Sequence, residues 1–404
     1  MASITPSDLP TAPAIPGLPP QRHRDPIAWC QAHDEPYRQV SDLQSYPLVI
    51  RHIDGTAEQI ACERPRMYLA RMSKADIVPP TCAVWTSDDC LYVDGLGTND
   101  SELGHALSAC VTGAGSVGTK IVARPRRIAT STVESVFFGG HAPPGHFLGQ
   151  DASRLALAAM SPETSRLPIA VYDTVAPRNL EYLDLLSYPA SRRIIITTAG
   201  ATHFDAVWLS SSALYRRDAL RSRIWPDAIW WLRSQIAPIT GPWPTRRPRI
   251  AIPRVETDWR RAVNQSEINQ VLERHNIVAL DFESMSAIDR IHAVAYASLI
   301  VTFGGVGGEL TMLAPPDCVI VEVAAPGWNG IFGPVSFAGI LGQPFFRLVS
   351  TPATRDESIA AGLTPPNPSD IRPYDRICHF RTDCDSLAKV LLQAGMRAHQ
   401  TLAP

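Results

Sequence analysis

The run Leu299-Ile-Val-Thr-Phe-Gly304-Gly-Val-Gly-Gly-Glu309-Leu310 decides how this sequence is read. Its first five residues, Leu299 to Phe303, are apolar or β-branched throughout, the composition of a strand buried on both faces. Four glycines follow at once, and the segment Glu309 to Leu313 behind them has the pattern of a short helix. A strand that passes through glycines into a helix brings backbone N–H groups to one point, which suits a diphosphate. A tight strand-to-helix turn alone accounts for two of the four glycines. Glu309 fits a simple phosphate cradle poorly, because it carries negative charge to the same helix end.

Around this run the pattern repeats. Strand Arg249 to Pro253 leads to helix Ser266 to His275, strand Ile277 to Leu280 and helix Ser286 to Ala297, and strand Cys318 to Val323 follows the glycine turn. Ser266 and Ser286 stand where N-caps belong. Residues 249–404 therefore read as a doubly wound α/β domain. Upstream, Ile239 to Pro248 holds three prolines and a glycine, so residues 241–248 read as a linker. Residues 46–240 read as a second unit. Short apolar runs between Pro47 and Gly97 predict β-strands. Leu155 to Met160 and Pro226 to Ile236 predict helices, alternating with strands Pro168 to Tyr172 and Arg193 to Thr198. Residues 1–45 read as a Pro-rich arm, with order expected from about Tyr46. Two α/β units joined by a Pro-rich hinge place a ligand cleft at the carboxyl ends of their strands.

Composition narrows the function. With 37 Lys and Arg against 39 Asp and Glu, the formal charge of −2 gives no global field for a polyanion, and no nucleic-acid partner is expected. The 36 prolines are well above the usual share, and Lys74, Lys120 and Lys389 are the only lysines, so nearly every cation is an arginine. Base composition explains that bias most simply, but locally it matters, because arginine grips phosphate with a rigid fork. No window reaches the length of a membrane span, and no basic segment followed by an apolar run opens the chain. The eight cysteines show no C-x-x-C pair or zinc-like spacing, so reduced thiols in a cytoplasmic protein are expected.

Other clusters bear on chemistry. Gly113-Ala-Gly-Ser-Val-Gly118 matches a dinucleotide fingerprint, but a strand ended by Pro125 follows it instead of a helix, so it reads as a loop. In Gly145-His146-Phe-Leu-Gly-Gln150-Asp151-Ala-Ser-Arg154, the His, Asp and Arg can serve as base, orienting carboxylate and anion clamp. Asp151 as a helix cap and His146 as a satisfied histidine explain the stretch equally, and metal binding by His141 and His146 lacks further ligands. Arg254 stands just past the first strand of the second unit, where ligands rest in open α/β sheets, with Arg260, Arg261, Asn264 and Glu267 behind it.

In this order the pieces resemble the family-61 glycosyltransferases, whose bacterial members are described as capsular polysaccharide biosynthesis proteins. The matching positions are Gly145 to Leu148 with Arg154, then Arg254, Arg261, Asn264, Glu267, Glu283, Ala297 before Ile300-Val301, Gly305 with Leu310, and Glu322. They span His141 to Glu322. The resemblance implies a GT-B-like pair of Rossmann-type domains and inverting transfer from a nucleotide-sugar donor to a glycan or glycoconjugate in surface polysaccharide assembly. It implies no metal or other cofactor, and a possible peripheral association with a membrane-linked acceptor. His146 or Asp151 would be the base. Arg254, Arg261, Asn264, Glu283, Gly304, Gly305 and Glu322 would hold the donor. Two positions depart from the family pattern: Gln150 where an acid is usual, and Gly304 where a histidine is usual. They motivate the alternative of a glycosyltransferase-like protein that binds without transfer. A nicotinamide-dependent oxidoreductase rests on the glycine clusters alone and lacks an acidic partner about 20 residues beyond a βα unit.

Overall fold

The computed structural model describes residues 26–42, 44–79, 83–87, 91–93, 111–114, 120–122, 126–139, 147–211, 214–216, 222–241, 244, 247–254, 259–327, 333–367 and 377–400. Structure begins earlier than the arm reading places it. Pro26 takes the first position of a short helix, Pro26–Ala32, which buries Ile27, Trp29 and Cys30, and the strand Tyr37–Ser41 follows.

Among the described residues the strands gather into two nine-stranded sheets and two small pairs. In one large sheet, five strands run parallel in the spatial order Val278–Ala279, Arg249–Ile252, Leu299–Thr302, Val319–Ala324, Pro344–Val349. Counted along the chain that is 2-1-3-4-5, the doubly wound order whose switch point lies between the first and third strands. Alternation along these strands builds two cores. Ile250, Ile252, Ile300 and Ile320 belong to the core shared with the other sheet, while Ala251, Leu299, Val301, Val319 and Val321 pack with the helix Cys384–Gln400 in a second.

The chain does not sort into two consecutive halves at 241–248. The hairpin Gln44–His52 with Ala57–Arg64 joins the Arg249–Val349 sheet, His52 lying opposite Phe345 in parallel register. Leu214–Arg216 and Ser222–Ile224 extend that edge. The other sheet carries Arg193–Ile196, Ile169–Tyr172, Ser135–Gly139 and Ala201–Ser210 in parallel, then Met67–Val78 and shorter strands antiparallel. The β-rich stretch from 47 to 97 is thus divided between both sheets. A common core also runs from Phe138 and Tyr172 to Ile300 and Ile320, so the two α/β layers are fused across it.

Around Gly113 the strands Val111–Ala114 and Lys120–Val122 pair antiparallel, and residues 115–119 lie outside the described residues. Ser286 caps the helix Ala287–Ala295 by accepting the Asp289 N–H at 3.2 Å, as its sequence position predicts. The helix Gln265–Arg274 starts one residue early, after Asn264. Among the described residues Cys30, Cys62, Cys318 and Cys378 are buried and unbridged, and no helix is long and apolar enough to cross a membrane.

Candidate functional site

The carboxyl edge of the parallel strands begins with Ile252-Pro253-Arg254. Proline carries no N–H to continue the ladder, so the chain leaves the sheet and Arg254 is released at the switch point. Burial first, and then the neighbouring Arg260, push the Arg254 guanidinium down to about 9, while Glu283 opposes the shift. Two guanidinium groups are therefore gathered at one edge. Arg260 itself holds a left-handed backbone, φ +56°. That conformation costs a non-glycine residue about 1–3 kcal/mol and persists only where the surroundings fix it. Arg260 lines a small pocket with Phe303, Gly304, Glu322 and Val323 to Ala325, whereas Arg261 does not border it.

Gly304 sits at φ +76°, ψ −165° with open space where a Cβ would stand, so the backbone conformation alone demands glycine. Gly307 answers a different need. A Cβ there would lie 2.5 Å from Cγ2 of Ile252, so the helix approaches the first strand more closely than any side chain allows. That contact explains why the helix runs Gly305–Leu310, four residues ahead of the expected Glu309 start, and is followed by a 3-10 turn, Thr311–Leu313. Glycine disfavours helix, but packing on the strand overrides propensity.

Glu322 is wholly buried, in register with Thr302 on one side and Arg347 on the other. Its Oε2 accepts from Nε of Arg347 at 2.7 Å. Oε1 of Glu322 and Oγ1 of Thr302 have no hydrogen-bond partner among the described residues. Burial holds the Glu322 carboxyl above the usual range, against the pull of Arg347.

On the other sheet the carboxyl end of Ser135–Gly139 leads to the motif around residue 146. His141, Gly145 and His146 lie outside the described residues. Phe147–Ala152 forms one wide π turn, in which Asp151 is 2 % exposed. Asp151 does not cap the next helix: Arg154–Met160 begins after Ser153, which makes no side-chain cap bond. Arg154 is buried in the first turn, and its carbonyl accepts the Ser210 hydroxyl at 2.9 Å.

Glu309 joins the two motifs. It lies in the last turn of its short helix, not at the start, and so points away from the Gly304 edge to the π turn. Its Oε1 accepts the Gly149 N–H at 2.5 Å, with Leu148 contributing a second backbone N–H. Burial, reinforced by the charge of Asp151, raises the Glu309 carboxyl well above the usual range. The carboxyl that fits a phosphate cradle poorly on sequence grounds is thus engaged elsewhere.

The remaining expected residues fall in two places. Nδ2 of Asn264 donates to the Thr382 carbonyl at 2.8 Å and its Oδ1 accepts the Thr382 N–H at 3.1 Å, so this amide fastens the helix Gln265–Arg274 to the chain around Thr382. The Arg261 backbone N–H meets Nδ1 of His379 at 3.2 Å. Glu283 faces the other sheet, where Arg178 of the helix Pro177–Leu185 donates to its Oε2 at 2.8 Å and also to its carbonyl. Sequence reasoning passed over Arg178 and Arg290, which flank this carboxylate, and Tyr182 beside those two arginines. Arg260, named with Arg261 behind Arg254 but given no role, carried no signal beyond its doubled arginine. Among the described residues no three His, Cys, Asp or Glu side chains gather as metal ligands.

No family model matches the sequence, and no curated protein matches it. Two similar solved structures are of TibC. One is the bacterial iron-containing dodecameric glycosyltransferase TibC from enterotoxigenic E. coli H10407, at 10% identity and TM-score 0.35 over 91% of this chain and 94% of that one. The other is the dodecameric iron-containing heptosyltransferase TibC in complex with ADP-D-beta-D-heptose, at 8% identity and TM-score 0.34 over 90% and 92%.

Proposed function

We propose that this chain is a glycosyltransferase that moves a sugar from a nucleotide-sugar donor to a hydroxyl of a glycan or glycoconjugate, with inversion, in surface polysaccharide assembly. The reading takes the two sheets as a GT-B-like pair of Rossmann-type layers and needs no metal. The observation that carries it is the pairing of Arg254 and Arg260 beside Gly304 at the switch point of the parallel sheet. Like charges pressed together in a half-buried edge are relieved by a bound anion, and a departing diphosphate is such an anion.

In the transfer, a base beside the sheet that carries Ser135–Gly139 takes the proton from the acceptor hydroxyl as its oxygen forms the new bond to the anomeric carbon. The bond from that carbon to the diphosphate breaks at the opposite face, and its electron pair leaves with the nucleotide, held by Arg254 and Arg260. Asp151 and His146 are the base candidates. The unpartnered Oε1 of Glu322, with Oγ1 of Thr302, supplies hydrogen-bonding capacity for donor hydroxyls. A membrane-linked acceptor would be met from the cytoplasmic side.

Titration with UDP-, GDP- and CMP-sugars, coupled to assays of donor hydrolysis and transfer, tests the proposal. Turnover with one donor, and an inverted anomeric signal in the product, is the expected result. Donor binding with no turnover on any acceptor assigns the chain to the non-transferring alternative. Full activity in Arg254→Ala removes the donor site from this edge.

A further inference from the structure

A buried cation between the two sheets has no use in the reaction above. Arg290, on the helix Ala287–Ala295, is 1 % exposed, and its Nε and Nη2 have no hydrogen-bond partner among the described residues. The nearest carboxylate oxygen, Oε2 of Glu283, stands 3.9 Å from Nη2, beyond hydrogen-bond reach. The Phe282 ring centre lies 5.9 Å from the guanidinium carbon. Opposite, on Pro177–Leu185, the buried Tyr182 hydroxyl lies beside Arg290 without a well-formed hydrogen bond among the described residues. Burial, against the nearby Arg290 and Arg178 charges, pushes that phenol up to about 12, so it stays a donor at any physiological pH. The mouth of the crease is the partly exposed pair Arg178 and Glu283.

Leaving two N–H groups of a buried guanidinium unbonded is costly, so their retention points to acceptors beyond Glu283 and Tyr182. The carboxylate that would satisfy it is drawn off by Arg178. Arg178, Arg290 and Arg254 stand against Glu283 and Glu181, whose carboxylate accepts the Ala287 N–H at 2.8 Å between the two helices, which leaves one positive charge. Glu309 also lies near Tyr182, and burial raises its carboxyl well above the usual range.

We infer that Arg290, Tyr182 and Arg178 form a subsite for a phosphoryl group in the crease between the helices Pro177–Leu185 and Ala287–Ala295, with Glu283 as the built-in counter-ion that the ligand displaces. Three acceptor oxygens on one centre match two forked guanidiniums and a phenol better than a carboxylate does. The subsite stands on these side chains and not on the transfer reaction.

The test uses the full chain, with calorimetric titration and thermal melting in inorganic phosphate, pyrophosphate and UDP. Pyrophosphate should raise the melting temperature of the wild type. Arg290→Met should melt no lower than wild type in anion-free buffer, having lost a buried charge with two unbonded N–H groups, yet bind pyrophosphate about tenfold more weakly. Tyr182→Phe, which keeps the ring and therefore the packing, should weaken binding severalfold even if Arg290→Met fails to fold. Glu283→Gln should bind more tightly, because a competing anion is gone. UDP binding lost in both Arg290→Met and Arg254→Ala identifies the donor diphosphate as the occupant. Pyrophosphate binding lost in Arg290→Met with UDP unaffected identifies a phosphate from the acceptor. No pyrophosphate binding by the wild type, or equal binding by wild type, Arg290→Met and Tyr182→Phe, overturns the subsite.

Discussion

Replacing Glu309 with glutamine should change the pH dependence of stability more than stability itself. In the folded chain burial holds this carboxyl well above its ordinary 4.5. A raised folded value means the folded state keeps its proton where the unfolded state has lost it. The contribution is complete below about pH 4.5 and is lost as pH rises through the folded value. Each pH unit in that window removes about 1.4 kcal/mol. Glutamine keeps an acceptor oxygen for the Gly149 N–H and carries no charge, so Glu309→Gln should match wild type within about 1 kcal/mol at pH 5 and overtake it progressively toward pH 8. Glu309→Ala leaves that buried N–H without an acceptor and opens a void, at a cost of about 2–4 kcal/mol. Urea midpoints for the three proteins at unit pH steps from 5 to 8 measure this directly. Parallel curves for wild type and Glu309→Gln would refute a raised Glu309 carboxyl. The fully buried Glu322 titrates in all three and cancels in the difference.

Other substitutions separate scaffold from chemistry. Asp151→Asn should lower turnover at least about 100-fold with donor affinity and melting temperature unchanged if Asp151 is the base, while His146→Ala should not match it. Indifference to both, in initial-rate assays, moves the base elsewhere. Gly307→Ala should cost about 1–3 kcal/mol in chemical denaturation through its collision with Ile252, and Ile252→Ala in the same chain should recover part of that loss. Asn264→Ala should cost about 2 kcal/mol by leaving both backbone groups of Thr382 unsatisfied, and should leave the donor dissociation constant as it is.

What the sequence disclosed was local. The apolar runs at Arg249, Leu299 and Val319 and the helices between them are encoded by period and capping within a dozen residues, and Ser286 does at Asp289 what its position predicts. Arg254 and Gly304 were found because a strand end and a glycine at a strand-to-helix turn are visible in a single line of text. Pairings over long separations were not visible. Nothing near His52 announces Phe345, and nothing near Gly149 announces Glu309, since strand edges and buried carboxyls choose partners by the geometry of the whole fold. Glu309 read as an obstacle to anion binding because its helix was started too late; four residues of helix earlier turn it to face the other motif. Tyr182 and Arg290 carried no signature, because an aromatic and an arginine on amphipathic helices are ordinary until their burial is known.

The hairpin Gln44–Arg64 also has a bearing on how the chain is made. Gln44–His52 is made nearly 300 residues before its partner Pro344–Val349, the strand through which it joins the parallel sheet. Until then the hairpin, extended only by the short strands Leu214–Arg216 and Ser222–Ile224, keeps an open edge that is prone to wrong pairing. A fragment cut to begin at Arg249 would carry the reciprocal defect, a bare edge along Pro344–Val349. Assembly therefore closes an early-made hairpin onto a late-made strand, a step slowed by the long loop it must bring together.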